Sequence, residues 1–172
     1  MRKFEKVSFE QFLKDCERTG WKKEYNDGTL KKFYDKIELP KRFTKGSAGY
    51  DFVTPFPLYV GDLSSPVEFP TGIRVQLEEN EALLLLPRSG IGFNTGGTIA
   101  CTVGLIDSDY YNAENEGHIM CKLVSGFKPL SVSQYGRVMQ GVIVKFATVD
   151  DDETVGTRVG GFGSTGTGGK ND

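Results

Sequence analysis

The feature that most constrains this chain is a series of short apolar stretches, separated by turn residues, running from Tyr34 to Val149. Ile73, Val75 and Leu77 alternate with Arg74 and Gln76, the period of a strand with one buried face. Ala82–Leu86 is continuously apolar and short, which predicts a strand buried on both sides. Thr98–Ile106, His118–Val124, Leu130–Ser133 and Val138–Val149 continue the series, with glycine, proline or asparagine between them. Many short strands at near-even spacing imply an all-β sandwich or barrel rather than alternating β-α units.

Only one segment reads as a helix. Ser8 opens a capping-box pattern with Gln11, and Phe9, Phe12, Leu13 and Cys16 then recur at helical spacing until Gly20 stops the run. Trp21–Leu30 is polar and carries Asn26-Asp27-Gly28, a turn signal. The chain therefore divides into an N-terminal strand and helix extension (1–33), a β domain (34–149) and an acidic linker with a glycine-rich tail (150–172).

The totals narrow the function. At 172 residues the chain suits one domain, and a net charge of −2 provides no basic field for non-specific nucleic-acid binding. Any anionic ligand must then be met by a few placed arginines. The start of the chain is too polar for a signal peptide and no apolar run approaches membrane-spanning length, so a cytoplasmic location is expected. Three cysteines without zinc spacing read as small apolar residues in a reducing setting. The single histidine, His118, excludes a multi-histidine metal site. Its place in an alternating stretch predicts an outward-facing strand residue. Carboxylates, arginines, serines and glycines remain for chemistry.

Three segments carry such groups. Gly160–Gly169 holds six glycines in ten residues, too few apolar groups to build a core. It formally contains G-x-G-x-x-G, but no helix can follow. Arg158, bare backbone amides, Ser164 and Thr165 could nonetheless wrap an anion. Pro87-Arg88-Ser89-Gly90 ends a buried strand in a guanidinium, a hydroxyl and a free amide, which suits phosphate oxygens and equally suits an ordinary turn. Gly104–Tyr110 (G-L-I-D-S-D-Y) places Asp107 and Asp109 on one side if extended, able to activate water or hold a divalent ion. A turn with aspartates capping amides is the alternative.

Taken in order, Ala48-Gly49-Tyr50-Asp51, Pro87–Gly90, Gly104–Tyr110, Arg137–Gln140 and Arg158–Thr165 resemble the five motifs of the trimeric dUTP pyrophosphatases, over roughly Leu39 to Gly166. The resemblance implies a distorted jelly-roll, or β-clip, domain with one short N-terminal helix and a flexible C-terminal arm. It implies hydrolysis of dUTP to dUMP and pyrophosphate, which limits uracil in DNA and supplies dUMP for dTMP synthesis, with Mg2+ on the triphosphate. By similarity Asp107 orients and deprotonates the attacking water, and Tyr110 packs on the deoxyribose and excludes a 2′-hydroxyl. Asp51 holds the metal through water. Arg88, Ser89, Gly90 and Gln140 line the phosphates, while Arg137 either joins them or ties subunits together. Arg158, Gly163, Ser164 and Thr165 close over the β- and γ-phosphates, and Phe162 stacks on uracil. The resemblance further implies a homotrimer with sites shared between subunits.

Three departures from the pattern stand out. Cys101, beside Thr102, occupies a position where relatives often carry an asparagine that reads the base. Tyr111–Glu116 lengthens the connection between Tyr110 and Gly117. Ser8–Leu30 is additional to the minimal domain, either packing on the β core or offering a surface to a regulatory protein. Two other functions stay open: a dCTP deaminase of the same fold, or a bifunctional deaminase that also cleaves the triphosphate, and a regulatory binding module. Deamination needs a carboxylate base that has no evident equivalent here, though position alone leaves Glu114 and Glu116 in the inserted hairpin open.

Overall fold

The computed structural model describes residues 1–154 and Gly156, and it is mostly β-sheet with three short helices. In chain order the strands are β1 (Lys3–Lys6), β2 (Tyr50–Val53), β3 (Leu58–Val60), β4 (Val67–Pro70), β5 (Ile73–Gln76), β6 (Glu81–Pro87), β7 (Thr98–Ile99), β8 (Gly104–Asp107), β9 (Met120–Val124), β10 (Leu130–Val132) and β11 (Arg137–Lys145). The helices are α1 (Phe9–Arg18), α2 (Asp27–Asp35) and α3 (Ser89–Thr95). Every pairing is antiparallel: β2-β11-β6-β8 form the largest sheet, β4-β9-β7 a second, and β1-β5 and β3-β10 two ribbons. Among the described residues no helix is long and apolar enough to cross a membrane.

The apolar run over β6 forms a central strand, but only one of its faces is fully buried: Leu84 and Leu86 on the other are half-buried. It pairs with β11 on one side and β8 on the other, and Leu83 and Leu85 lie in the core. The alternation in β5 holds, with Ile73 and Val75 buried and Arg74 and Gln76 half-buried.

Four local expectations fail. Asn26-Asp27-Gly28 starts a helix instead of making only a turn, because the Asn26 side chain accepts from Thr29 N at 2.9 Å and so caps α2. Helix α3 has little intrinsic propensity, but Ile91 and Thr95 are four residues apart and both buried, and Gly96 at φ 69° ends it. Thr98–Ile106 is two short strands around a turn closed by Thr102 N donating to Ile99 O at 2.8 Å. Strand β11 ends at Lys145 rather than continuing to Val149.

The N-terminal segment belongs to the body of the protein. Strand β1 pairs residue for residue with β5, from Lys3 opposite Gln76 to Lys6 opposite Ile73. Phe12, Cys16, Trp21 and Leu30 are buried. The Trp21 ring stacks on Phe56 at 4.0 Å, and its Nε1 donates to Glu68 O at 2.9 Å. Burying several large side chains of this kind contributes about 1.5–3 kcal/mol each.

Candidate active site

Three central strands bring the phosphate-type residues together. Asp51 on β2 lies opposite Gln140 on β11, which lies opposite Leu86 on β6, two residues before Arg88. Gly49 lets the Gln140 side chain approach closely, since a Cβ at that position would meet Gln140 Oε1 at 2.5 Å and the amide would have to move. Asp51 sits between two guanidiniums, Arg88 Nε at 3.2 Å and Arg137 Nη1 at 3.2 Å. Charge-assisted bonds are usually shorter than this, so both arginines hold the carboxylate loosely. Arg137 also stacks over Phe43, 4.6 Å from the ring centre, at the wall of a cleft of about 610 Å3 that Lys36 and Lys41 share. Ser89 and Gly90 are exposed in the first turn of α3, where backbone amides lack intrahelical acceptors.

The second group surrounds β8. Asp107 is its last residue and half-buried; the chain then turns into a 3-10 segment, Ser108–Asn112. Asp107 and Asp109 therefore do not share a strand face as expected, and Asp109 is exposed on the turn. Tyr110 is only 3% exposed, and its hydroxyl donates to His118 O at 2.9 Å. Gly117 at φ 68° makes the return possible, since a Cβ there would meet Tyr110 O at 2.7 Å. Cys101 and Thr102 occupy the exposed turn between β7 and β8, with Thr102 at φ 64°, a costly conformation for a β-branched residue. Behind that turn lies a cavity of about 510 Å3, apolar along Leu85, Ile99, Met120 and Met139, and joined by Gly104 and Cys101.

His118 corrects the sequence reading most sharply. It is fully buried, not outward-facing, because Gly117 breaks the alternation and β9 begins only at Met120. Gly72 N donates to its Nε2 at 2.8 Å, which fixes the proton on Nδ1, and Nδ1 donates to Asp15 Oδ2 at 2.7 Å. Asp15 comes from α1. Burial pushes its carboxyl up, but the hydrogen bonds from His118 and Gln11 outweigh this and hold it below the ordinary carboxylate value. Asp15 and Arg18 also line the cavity behind Cys101, so the extension supplies part of its wall.

The inserted loop docks on the same extension. Ser8 N and Ser8 Oγ donate to the Glu116 carboxylate at 2.7 and 2.6 Å. The expected capping box is thus only half built from within α1. Ser8 Oγ accepts from Gln11 N at 3.1 Å, but the Gln11 side chain bonds Asp15, and Glu116 takes the Ser8 amide instead. Glu116 is committed to this contact, which weakens it as the base of a deaminase. Sequence reasoning missed Asp15 and Asn115, which also lines the cavity. Asp15 shows as a signal only in retrospect, as an acid on the apolar face of α1.

The cysteines divide as burial dictates. Cys16 and Cys121 are buried and Cys101 is exposed, and all three are free. Burial pushes the Cys16 thiol up to about 12 and raises Cys121 as well, leaving both inert. Arg158, Phe162, Gly163, Ser164 and Thr165 lie outside the described residues.

Comparison with known proteins decides the lineage. The dUTPase family model matches residues 35–166. This chain belongs to the dUTPase family. It is 37% identical over 142 residues to the deoxyuridine 5′-triphosphate nucleotidohydrolase of Lactococcus lactis subsp. lactis, covering 76% of this chain and 89% of that one. It is also 37% identical over 148 residues to the Hahella chejuensis enzyme of the same name, covering 80% and 92%. The crystal structure of a Streptococcus mutans dUTPase superposes with a TM-score of 0.61 at 29% identity, covering 86% of this chain and 98% of that one. The all-β dUTPase-like fold read from the sequence is therefore the fold of the protein.

Proposed function

We propose that this chain hydrolyses dUTP to dUMP and pyrophosphate, with Asp107 as the base. The observation that carries the reading is the position of Asp107 at the C-terminal end of β8. Gly104 of the same strand lines the cavity, and the following turn seats Tyr110. In this reading the base enters the cavity behind Cys101 and Thr102, contacting mainly backbone, and the Tyr110 ring packs against the deoxyribose. Asp107 orients a water and takes its proton as the oxygen bonds to the α-phosphorus. The bond from the α-phosphorus to the bridging oxygen breaks, and pyrophosphate leaves. A carboxylate beside a triphosphate acts chiefly by positioning, so its placement matters more than its basicity.

Arg88, Ser89, Gly90 and Gln140 hold phosphate oxygens. Among the described residues no three His, Cys, Asp or Glu side chains converge into a closed metal cage. A single loosely held carboxylate, Asp51, fits Mg2+, which keeps its waters and is shared with phosphates. When bound, Mg2+ neutralises charge on the triphosphate oxygens. The closing role of Arg158, Phe162, Gly163, Ser164 and Thr165 rests on the sequence motif alone.

The separation of the two groups supports a homotrimer with shared sites. Asp107 lies opposite Ala82, at the other end of β6 from Arg88. Six residues of strand span about 20 Å. One chain would bridge that gap only with both side chains and the triphosphate fully extended toward each other. Strand β8 is also a sheet edge and exposes Leu105 and neighbouring Val103, while Phe93 and Phe127 are exposed elsewhere, as expected of surfaces buried between subunits. We place the enzyme in the cytoplasm, in keeping with three unpaired cysteines. Because β1, α1 and α2 bury their apolar faces on the β core, they support a packing role for the extension over a regulatory docking surface.

The test is pyrophosphate release from dUTP, dCTP, dTTP and UTP in parallel with Mg2+. The expected result is strong preference for dUTP; ammonia release from dCTP would overturn the reading in favour of a deaminase.

A further inference from the structure

The inserted loop brings Tyr110 a partner that the catalytic segment does not supply. Asn115 Nδ2 donates to Tyr110 Oη at 2.7 Å, and Tyr110 Oη donates to His118 O at 2.9 Å. Both directions are forced. The hydroxyl has one proton, that proton points at the His118 carbonyl, and Asn115 must therefore present its nitrogen rather than its oxygen. As a result Asn115 Oδ1 is buried and meets no donor among the described residues. Leaving a buried amide acceptor unmet is costly, and folding alone would be better served by an apolar side chain. The loop that carries Asn115 is itself held from outside. Glu116 binds Ser8, Tyr111 Oη donates to Glu5 at 2.5 Å, and Arg74 lies 4.4 Å over the Tyr111 ring.

A steric wall discriminates only as sharply as it is stiff. A tyrosine ring held by packing alone can tilt about its side-chain torsions and yield the space a 2′-hydroxyl needs. Fixing the hydroxyl at the far end of the ring removes that tilt. We propose that Asn115 is a positioning residue for Tyr110, and that this bond sets how strictly the site excludes a ribonucleotide. The inference rests on the packing of Tyr110 against the deoxyribose.

The experiment measures kcat/KM for dUTP and UTP on the full chain and on Asn115→Ala, Tyr110→Phe, their combination, and Tyr110→Leu. Asn115→Ala and Tyr110→Phe should each raise UTP relative to dUTP by about tenfold, the scale of a modest steric change in a pocket. The combination should do no more than Tyr110→Phe alone, because that variant already removes the bond from Asn115 along with the one to His118. General loosening of the fold would lower both nucleotides together and leave the ratio at its original value, which overturns the proposal. If Tyr110→Leu leaves UTP excluded, the sugar assignment fails and the inference falls with it. If Tyr110→Leu relaxes the ratio while Asn115→Ala and Tyr110→Phe do not, the assignment stands and the positioning role is wrong. Should Asn115→Ala show no cooperative melting transition, Tyr110→Phe, which preserves ring volume, decides the question.

Discussion

Asp51, Gln140 and Arg88 are set by the register of neighbouring strands, whereas Tyr110, His118 and Asn115 are set by side-chain bonds to a loop and a helix. In the first region the backbone ladder does the placing, and a glycine that lets Gln140 approach is the main local requirement. In the second, the chain leaves the sheet at Asp107, and position depends on Asp15, Glu116 and Gly117. The contrast teaches that the same fold can fix the proposed phosphate-binding residues by strand pairing while leaving the proposed nucleoside side to be shaped by additions outside the sheet.

Removing residues 1–33 breaks this arrangement most severely. It would strip β1 from β5, uncover Phe56 and leave His118 without its buried partner. The expected outcome is loss of a cooperative thermal transition and of turnover. A truncated protein that melts normally and turns over dUTP would show that the extension only decorates the core.

A narrower change should damage one region and spare the other. Asp15→Leu leaves the His118 Nδ1–H buried without an acceptor and should cost about 3 kcal/mol. For a chain of this size that lowers the melting temperature by about 10 °C. Asp15→Asn retains an acceptor and should cost distinctly less. Inorganic phosphate and pyrophosphate binding, read by calorimetry, should change little in either variant, since Asp51, Arg88 and Gln140 do not touch Asp15. Equal loss on both sides would mean that the two regions are not independently held.

The smallest effect is on acid stability. Asp15 and Glu116 both have carboxyls lowered in the folded chain. Burial opposes the shift in each, and bonds from His118 and Gln11, or from Ser8, overcome it. Groups lowered on folding stabilise fully above the unfolded carboxylate value of about 4, and that stabilisation fades as pH falls below it toward their folded values. The melting temperature should therefore drop on acidification below this range, and the drop should be shallower in Asp15→Asn. A parallel pH profile in the variant would mean that Asp15 carries none of it.

The sheet region was largely legible in the sequence because a two-residue period and a short apolar run translate directly into strands, as β5 and β6 show. The motif residues came with them. The nucleoside region was not, because its contacts join residues far apart in sequence. The Asp15 bond to His118 spans 103 positions, and no local pattern marks either as a partner. A single positive-φ glycine, Gly117, also reversed the facing read for His118. Asn26 shows the remaining ambiguity, since the residues that make a turn also cap a helix.

A shared site requires that its Asp107 and its Arg88 come from different chains. Asp107→Asn and Arg88→Ala should each be nearly inactive, the first by about 10²–10⁴-fold as for loss of a positioned base. The two inactive variants, unfolded together at equal amounts and refolded so that chains mix at random, should regain about a quarter of the original dUTP turnover, because each site draws the two residues from independent chains. Activity no greater than that of the separate variants, with mixed assemblies confirmed by mass, would place both residues in one chain and contradict the shared site.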